Sequence, residues 1–186
     1  MARRLTAHFF SSIDGVVSNP FQFQYDSFDA GVGAAMDSAI GAVDDVILGR
    51  VTYSEWAGYW PTQAPDEDAS FANFINPVRK HVASRTLTPG DLAWNNSTLI
   101  DGDLLDFVRA LKETEGRDIT VTGSITVTRQ LLAAGLVDAL MLTVHPAVAG
   151  AGVHLFDETF PATRYTLLEA TITEKGNALL TYGPRA

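Results

Sequence analysis

Residues 118–156 read DITVTGSITVTRQLLAAGLVDALMLTVHPAVAGAGVHLF. Ile119 and Val121 belong to a β-branched run that meets Gly123-Ser124. A helical pattern follows and stops at Gly135, and a second apolar run occupies 139–144. Strand, tight turn, helix and strand in that order are the parts of an α/β sheet. The turn also leaves backbone N–H groups free at a helix N-terminus, where an anion can sit.

The same alternation recurs on either side. Residues 5–10 read as a strand closed by the Asp14-Gly15 turn. Residues 16–28 are irregular and aromatic-rich, with Phe21, Phe23, Tyr25 and Phe28. Val32, Ala35, Met36 and Ile40 share one face of a helix predicted over 31–42. A short buried strand over 43–48 is closed by Gly49, and a helix is expected from near Thr52 to before Pro61. Residues 61–70, with Asp66, Glu67 and Asp68, read as a solvated polar loop.

Residues 71–75 predict a helical turn stopped by Pro77, and 79–84 a further strand. Residues 94–100 hold a turn at Asn95-Asn96 and a short strand. A helix over 102–115 carries the stripe Leu104, Leu105, Val108 and Leu111 and is closed by Gly116. Residues 164–173 and 178–182 form a hairpin around Glu174-Lys175-Gly176-Asn177. The expected fold is one domain over 1–186, a three-layer α/β architecture. Its central sheet is mostly parallel with helices on both faces, and it ends in an antiparallel hairpin.

Composition narrows the function. The chain is 46% hydrophobic and 19% charged, as in a globular domain, and no apolar run is long enough to span a bilayer. Residues 5–14 hold no signal-peptide core, so the cytoplasm is the expected compartment. With no cysteine there is no disulfide, thiolate metal site or cysteine nucleophile. His8, His81, His145 and His154 lack the spacing of a zinc site, and no metal is expected. A net charge of −9 argues against nucleic acid and anionic membrane as partners. An anionic cofactor would need local arginines and backbone N–H groups to overcome that field.

Three loops that follow strands could supply them, because ligands collect at the carboxyl ends of strands in open α/β sheets. In the first, Gly49 lets the chain turn, Arg50 offers a guanidinium fork, and Thr52 can cap the next helix or meet a phosphate. In the second, Ser84 and Thr86 flank Arg85, a grouping suited to a phosphate monoester. In the third, Gly123, Ser124, Ile125 and Thr126 open a helix but match neither the Rossmann glycine pattern nor a P-loop. Each also has a plain reading: a strand–helix turn with a surface arginine, a loop of turn formers, and a helix capped by Ser124 or Thr126.

Several strings together resemble the dihydrofolate reductase-like superfamily. The similarity is strongest to stand-alone relatives of the reductase domain at the C-terminus of the bifunctional riboflavin-biosynthesis deaminase-reductase. They are Ser-Ile-Asp-Gly-Val-Val at 12–17, Leu-Gly-Arg-Val-Thr-Tyr at 48–53 and Val-Ala-Ser-Arg-Thr-Leu at 82–87. Further on come Trp94-Asn95-Asn96-Ser97, Gly123-Ser124, Gly135-Leu136-Val137-Asp138, and His145-Pro146 through Gly150-Ala151-Gly152 to Leu155-Phe156.

The resemblance implies an NADPH-dependent reductase. It puts Gly49, Arg50 and Thr52 at phosphate oxygens, and Ser84, Arg85 and Thr86 at the adenosine 2′-phosphate. Gly123, Ser124, Ile125 and Thr126 would hold the pyrophosphate, with Gly15, Val16 and Val17 beside the nicotinamide. A small substrate would lie near Tyr25, Asp29 and Trp56. Asp14, and after it Glu55, would be the polar groups near the reacting carbon, although Asp14 also suits plain turn formation with Gly15.

The reaction implied is hydride transfer to a C=N or C=O carbon of a small heterocyclic or carbonyl substrate, like that of 5-amino-6-ribosylaminouracil reductase. Dihydrofolate reductase activity and a non-catalytic nucleotide-binding protein are the alternatives on this fold. Two departures bear on them. Dihydrofolate reductases carry a second glycine where this chain has Ser124, which leaves open the cis peptide the family has at that bond. Neither Asp29 nor Asp37 matches the spacing of their helix acid. The relatives also imply a homodimer, for which the terminal hairpin offers an uncovered edge.

Overall fold

The computed structural model describes residues 2–63 and 69–185. Eight strands make one sheet in the order β4-β3-β2-β5-β1-β6-β8-β7. They are β1 (Leu5–Ser11), β2 (Val43–Gly49), β3 (Arg79–Ala83), β4 (Ser97–Leu99), β5 (Asp118–Thr122), β6 (Ala139–Val144), β7 (Tyr165–Ile172) and β8 (Ala178–Pro184). All pairings among β1 to β6 are parallel, and β8 runs antiparallel to both β6 and β7. The helices are α1 (Phe21–Gln24), α2 (Ala30–Gly41), α3 (Arg50–Tyr59), α4 (Ala69–Ile75), α5 (Leu104–Lys112) and α6 (Ile125–Ala133).

Strand alternation divides the core in two. Leu5, Ala7 and Phe9 of β1 join Ile119 and Val121 of β5 against Val108 of α5 and Leu131 of α6. On the opposite face, Val46 and Leu48 of β2 and Val82 of β3 pack with Tyr53 of α3, Ile75 of α4 and Trp94. Helices therefore cover both faces, as the sequence pattern predicts. Lys80 of β3 is fully buried on the α4 side, where its Nζ donates to the carbonyls of Ile75, Asn76 and Val78 and lies 4.6 Å from the Trp94 ring centre. It thereby ties the end of α4 to the sheet.

The expected elements all form, with small shifts. The helix after β2 begins at Arg50 rather than near Thr52, because Gly49 itself takes the extended N-cap conformation. The aromatic-rich segment over 16–28 contains the single turn of α1. Asp66, Glu67 and Asp68 lie outside the described residues. Among the described residues no peptide bond is cis, and no helix is long and apolar enough to cross a membrane.

An ionic knot fastens the amino ends of the strands. Asp45, 1% exposed, takes both Nε and Nη2 of Arg79 at 2.9 and 2.7 Å, Nη2 of Arg3 at 2.6 Å and Nε2 of His81 at 2.7 Å. Burial alone would raise its pKa, but these partners outweigh burial and hold it at about 2. Asp45→Asn should destabilise the fold by about 3 kcal/mol, read from the urea midpoint. The wild-type contribution is present above the ordinary carboxylate pKa of about 4 and fades as pH falls toward 2. If the variant keeps the wild-type midpoint at pH 7, the knot is not a source of stability.

Candidate functional site

The parallel strands β3, β2, β5 and β1 are neighbours, so their carboxyl ends stand in one row. The turns that follow them carry Ser84-Arg85-Thr86, Gly49-Arg50, Gly123-Ser124 and residues 12–17. The three loops singled out in the sequence are thus adjacent.

The two middle turns are linked to each other. Ser124 is the N-cap of α6, yet its hydroxyl does not cap that helix. Its Oγ accepts the N–H of Gly49, the N-cap of α3, at 2.8 Å. In the opposite direction, Thr52 Oγ1 donates to the carbonyl of Gly123 at 3.1 Å. Gly123 has φ +64°, and a Cβ there would come within 2.9 Å of Thr52 Cγ2 and 3.0 Å of the Trp56 ring, so only glycine fits.

These contacts correct two readings of the sequence. Thr52 lies inside α3, buried, with its proton spent on Gly123, so it neither caps the helix nor donates to a phosphate. Neither Ser124 nor Thr126 caps α6. The first turns of α3 and α6 both lack a side-chain acceptor, whereas Asp29 caps α2 and Asp103 caps α5. The N–H groups left over point their partial positive charge at the row of turns.

Two cations lie on the β3–β2 side of the row. Arg50 and Arg85 are exposed and form no ion pair among the described residues, while Arg3, Arg79 and Arg129 are all paired with carboxylates. Ser84 Oγ accepts the N–H groups of Thr86 and Leu87 at 3.1 and 3.0 Å, which leaves its own proton to donate. Thr86 is exposed beside it, as is Thr126 at the start of α6, where Ile125 packs against the core.

The fourth turn is closed on itself. The N–H of Gly15 reaches the Ser12 carbonyl, that of Val16 the Ser12 hydroxyl, and that of Val17 the Val153 carbonyl. Asp14 Oδ1 and Oδ2 accept the N–H groups of Ala149 and Gly150, each at 2.9 Å. The Ser12 hydroxyl, followed by these two amides, holds the Asp14 pKa at about 2. Asp14 therefore clamps the loop after β1 to the loop after β6 and is not a proton donor at neutral pH. A cavity of about 250 Å³ adjoins this turn, lined by Asp14, Gly15, Val17, Leu142, His154 and Phe156 among others.

The expected substrate residues fall in two places. Trp56 stands against the Gly123 turn, and Glu55 is exposed on the same helix. Tyr25 and Asp29 lie across the sheet, near the end of β6. Tyr25 is 77% exposed. Asp29 takes the Val32 N–H at 3.0 Å and the Lys175 N–H at 2.9 Å, and with the Thr173 hydroxyl as largest influence its pKa is held at about 2. It is a helix cap that binds the terminal hairpin. His145 beside it is fully buried, with Nδ1 2.7 Å from Ser27 Oγ, and burial lowers its pKa. Among the described residues no three His, Asp or Glu side chains converge as metal ligands.

The RibD C-terminal domain, as a family profile, matches residues 3–179. The chain belongs to the RibD C-terminal domain family. Within a 118-residue match it is 30% identical to the uncharacterized protein YyaP of Bacillus subtilis, covering 63% of this chain and 61% of that protein. A Shewanella sp. PV-4 protein assigned to riboflavin biosynthesis superposes with TM-score 0.72 at 19% identity over all of both chains. The Thermotoga maritima diaminohydroxyphosphoribosylaminopyrimidine deaminase/5-amino-6-(5-phosphoribosylamino)uracil reductase superposes with TM-score 0.66 at 13% identity, covering 99% of this chain and 57% of that one. The dihydrofolate reductase-like fold expected from the sequence is the fold observed.

In this RibD-type domain one polar side chain near the site escapes a reading of motifs. His8 projects from β1 on the face away from Leu5, Ala7 and Phe9, with Nε2 3.1 Å from Thr143 Oγ1 and its ring 5.4 Å from Phe10. Burial pushes its pKa down to about 4, so the imidazole is neutral at physiological pH. The signal was its place in the strand alternation, out of phase with the core residues. The clamp at Asp14 has a direct test in amide exchange. Asp14→Ala should speed exchange of the Ala149 and Gly150 amides about tenfold or more, as expected when a charged acceptor is removed. Unchanged exchange rates would show that the clamp does not hold the two loops.

Proposed function

We propose that the row of turns binds NADPH and that the chain is a reductase of a small heterocyclic or carbonyl substrate. The observation that supports it is the pair of uncapped helix N-termini, α3 and α6, braced side by side, with the unpaired guanidinium groups of Arg50 at the start of α3 and Arg85 in the neighbouring turn after β3. These residues fit a dinucleotide phosphate. Gly49, Arg50, Gly123, Ser124, Ile125 and Thr126 face the pyrophosphate. Ser84, with a proton to donate, and Arg85 and Thr86 receive the 2′-phosphate. Gly15, Val16 and Val17 border the nicotinamide through packing, since their N–H groups are already bonded.

The bound cofactor supplies the hydride, and the chain supplies alignment and electrostatics. Asp14 and Asp29 stay ionised at neutral pH, which leaves Glu55 and solvent as the route for a proton. For the substrate class we propose a relative of the aminouracil in the name of the Thermotoga maritima enzyme, on family membership. Folate reduction finds no support, because Asp29 is a helix cap and Asp37 accepts a hydrogen bond from Ser70.

Titration of tryptophan fluorescence tests the reading. NADPH should bind more tightly than NADH, and Arg85→Ala should reduce that preference about tenfold, the scale of one charge-assisted hydrogen bond. No binding of either nucleotide rejects the reductase, and equal binding of both removes the role of Ser84 and Arg85.

We further propose a homodimer through the hairpin. Strands β6, β7 and β8 carry a single charged residue, Glu169, in an otherwise acidic chain. Leu167, Leu168 and Ile172 are exposed on the edge strand β7. A second copy offers the same uncharged surface without the repulsion of two acidic faces. Gel filtration should give twice the mass of one chain, and Ile172→Lys should halve it. A wild-type chain that elutes at the mass of one copy refutes the dimer.

A further inference from the structure

His145 directly follows β6 and is fully buried, and both of its ring nitrogens face one segment of the chain. Ser27 Oγ donates to the Gln24 carbonyl at 2.5 Å and lies 2.7 Å from His145 Nδ1. The serine has one proton, so Nδ1 carries the imidazole hydrogen and donates it to Ser27. Nε2 is then the acceptor, 3.3 Å from the Gln24 amide nitrogen. Phe23, 1% exposed, packs its ring 6.1 Å from the imidazole.

The segment that His145 holds is closed on itself. The N–H groups of Gln22, Phe23, Gln24 and Ser27 bond to the carbonyls of Asn19, Pro20 and Gln24. Asn19 at φ +47° and Tyr25 at φ +46° mark its two bends, a conformation that costs a tyrosine energy and persists only where the surroundings impose it. Its other ties run to the hairpin turn, where Asn177 Nδ2 donates to the Ser27 carbonyl at 2.7 Å and Lys175 Nζ to that of Asp26. Among the described residues no backbone bond joins residues 19–27 to the sheet.

We propose that residues 19–27 are a hinged strap, latched by the neutral His145 imidazole and released when that ring takes a second proton. A proton on Nε2 would set one donor against another at Gln24 and would charge a ring that has no contact with water. Asn177 Oδ1 is buried beside the network without a donor among the described residues. The charged groups around it are Asp26, Asp29 and Lys175, and Asp29 already accepts the N–H groups of Val32 and Lys175. On the β1 side Phe10 separates His145 from His8, at 5.5 and 5.4 Å between ring centres. Burial lowers the His145 pKa and outweighs the Asn177 acceptor and the Asp29 charge, which oppose it. The latched state therefore rejects the proton that a solvated imidazole accepts, and opening is favoured as pH falls through about 6.5. Release would withdraw Phe23 from the end of β6 and relax Tyr25. The strap owes nothing to the identity of any ligand.

Relaxation-dispersion NMR on the full chain tests it, with the imidazole nitrogen shifts of His145 read in parallel. The open population of residues 20–27 should rise about tenfold from pH 7.5 to 5.5, the change expected when only the open state titrates near 6.5. His145→Asn keeps a donor for Ser27 and cannot be charged, so its strap should show no pH response. His145→Phe should be open at both pH values while the amides of β2 and β5 stay as in the wild type. His8→Gln and Asp29→Asn should keep the response. A wild-type strap that does not respond to pH, a response that survives in His145→Asn, or one that disappears in His8→Gln would each overturn the proposal. So would an Nε2–H tautomer at pH 7.5. If His145→Phe fails to fold, the wild-type and His145→Asn profiles still decide.

Discussion

Parallel pairing of β2 with β5 is the constraint from which the site follows. The register sets Val46 against Thr120 and Ile47 against Val121, so the two strands end level and their turns meet. Parallel strands need crossover helices, and each crossover here begins at the carboxyl edge of the sheet. Helices α3 and α6 therefore start beside each other, and Gly49 and Gly123 are close enough for Ser124 and Thr52 to join them. Without that register the turns would be separate, and neither helix N-terminus would reinforce the other.

Electrostatics follow the same geometry. The chain is strongly acidic, yet Asp14 and Asp29 at this edge are committed elsewhere. Asp14 is spent on the amides of Ala149 and Gly150, and Asp29 on α2 and the hairpin turn. Arg50 and Arg85 have no carboxylate partner among the described residues. Asp45 gathers Arg3, Arg79 and His81 at the opposite end of the strands. The sheet thus separates an internally neutralised amino edge from a carboxyl edge with unspent positive charge, which suits an anion despite the net charge.

Much of the fold was legible because hydrophobic periodicity is local. Leu104, Leu105, Val108 and Leu111 mark α5, and the β-branched run at Ile119 and Val121 marks β5, whatever their neighbours do. The loops with Gly49-Arg50, Ser84-Arg85 and Gly123-Ser124 were legible as turns after strands for the same reason. The partner of each hydroxyl and carboxylate was not. Asp14 read as a reactive group and is a clamp, and Asp29 read as a substrate contact and is a cap. Thr52 and Ser124 read as caps or ligands of their own helices and instead join two helices. For Asp14, Thr52 and Ser124 the deciding contact spans more than seventy positions in the chain, beyond what spacing can encode, whereas the Asp29 cap on Val32 is local and only its bond to Lys175 is long-range.

The amino-acid sequence by itself determined the order of strands and helices, the mostly parallel sheet, the family, and which turns follow the strands at the carboxyl edge. Those properties follow from side-chain periodicity, turn chemistry and motif order, all carried along the chain. Only the tertiary structure decided that α3 and α6 remain uncapped, that their turns are cross-braced, and that Asp14 and Asp29 are already bonded. These depend on which distant atoms the sheet register brings within hydrogen-bond reach, a distance of about 3 Å that no pattern of residue types specifies.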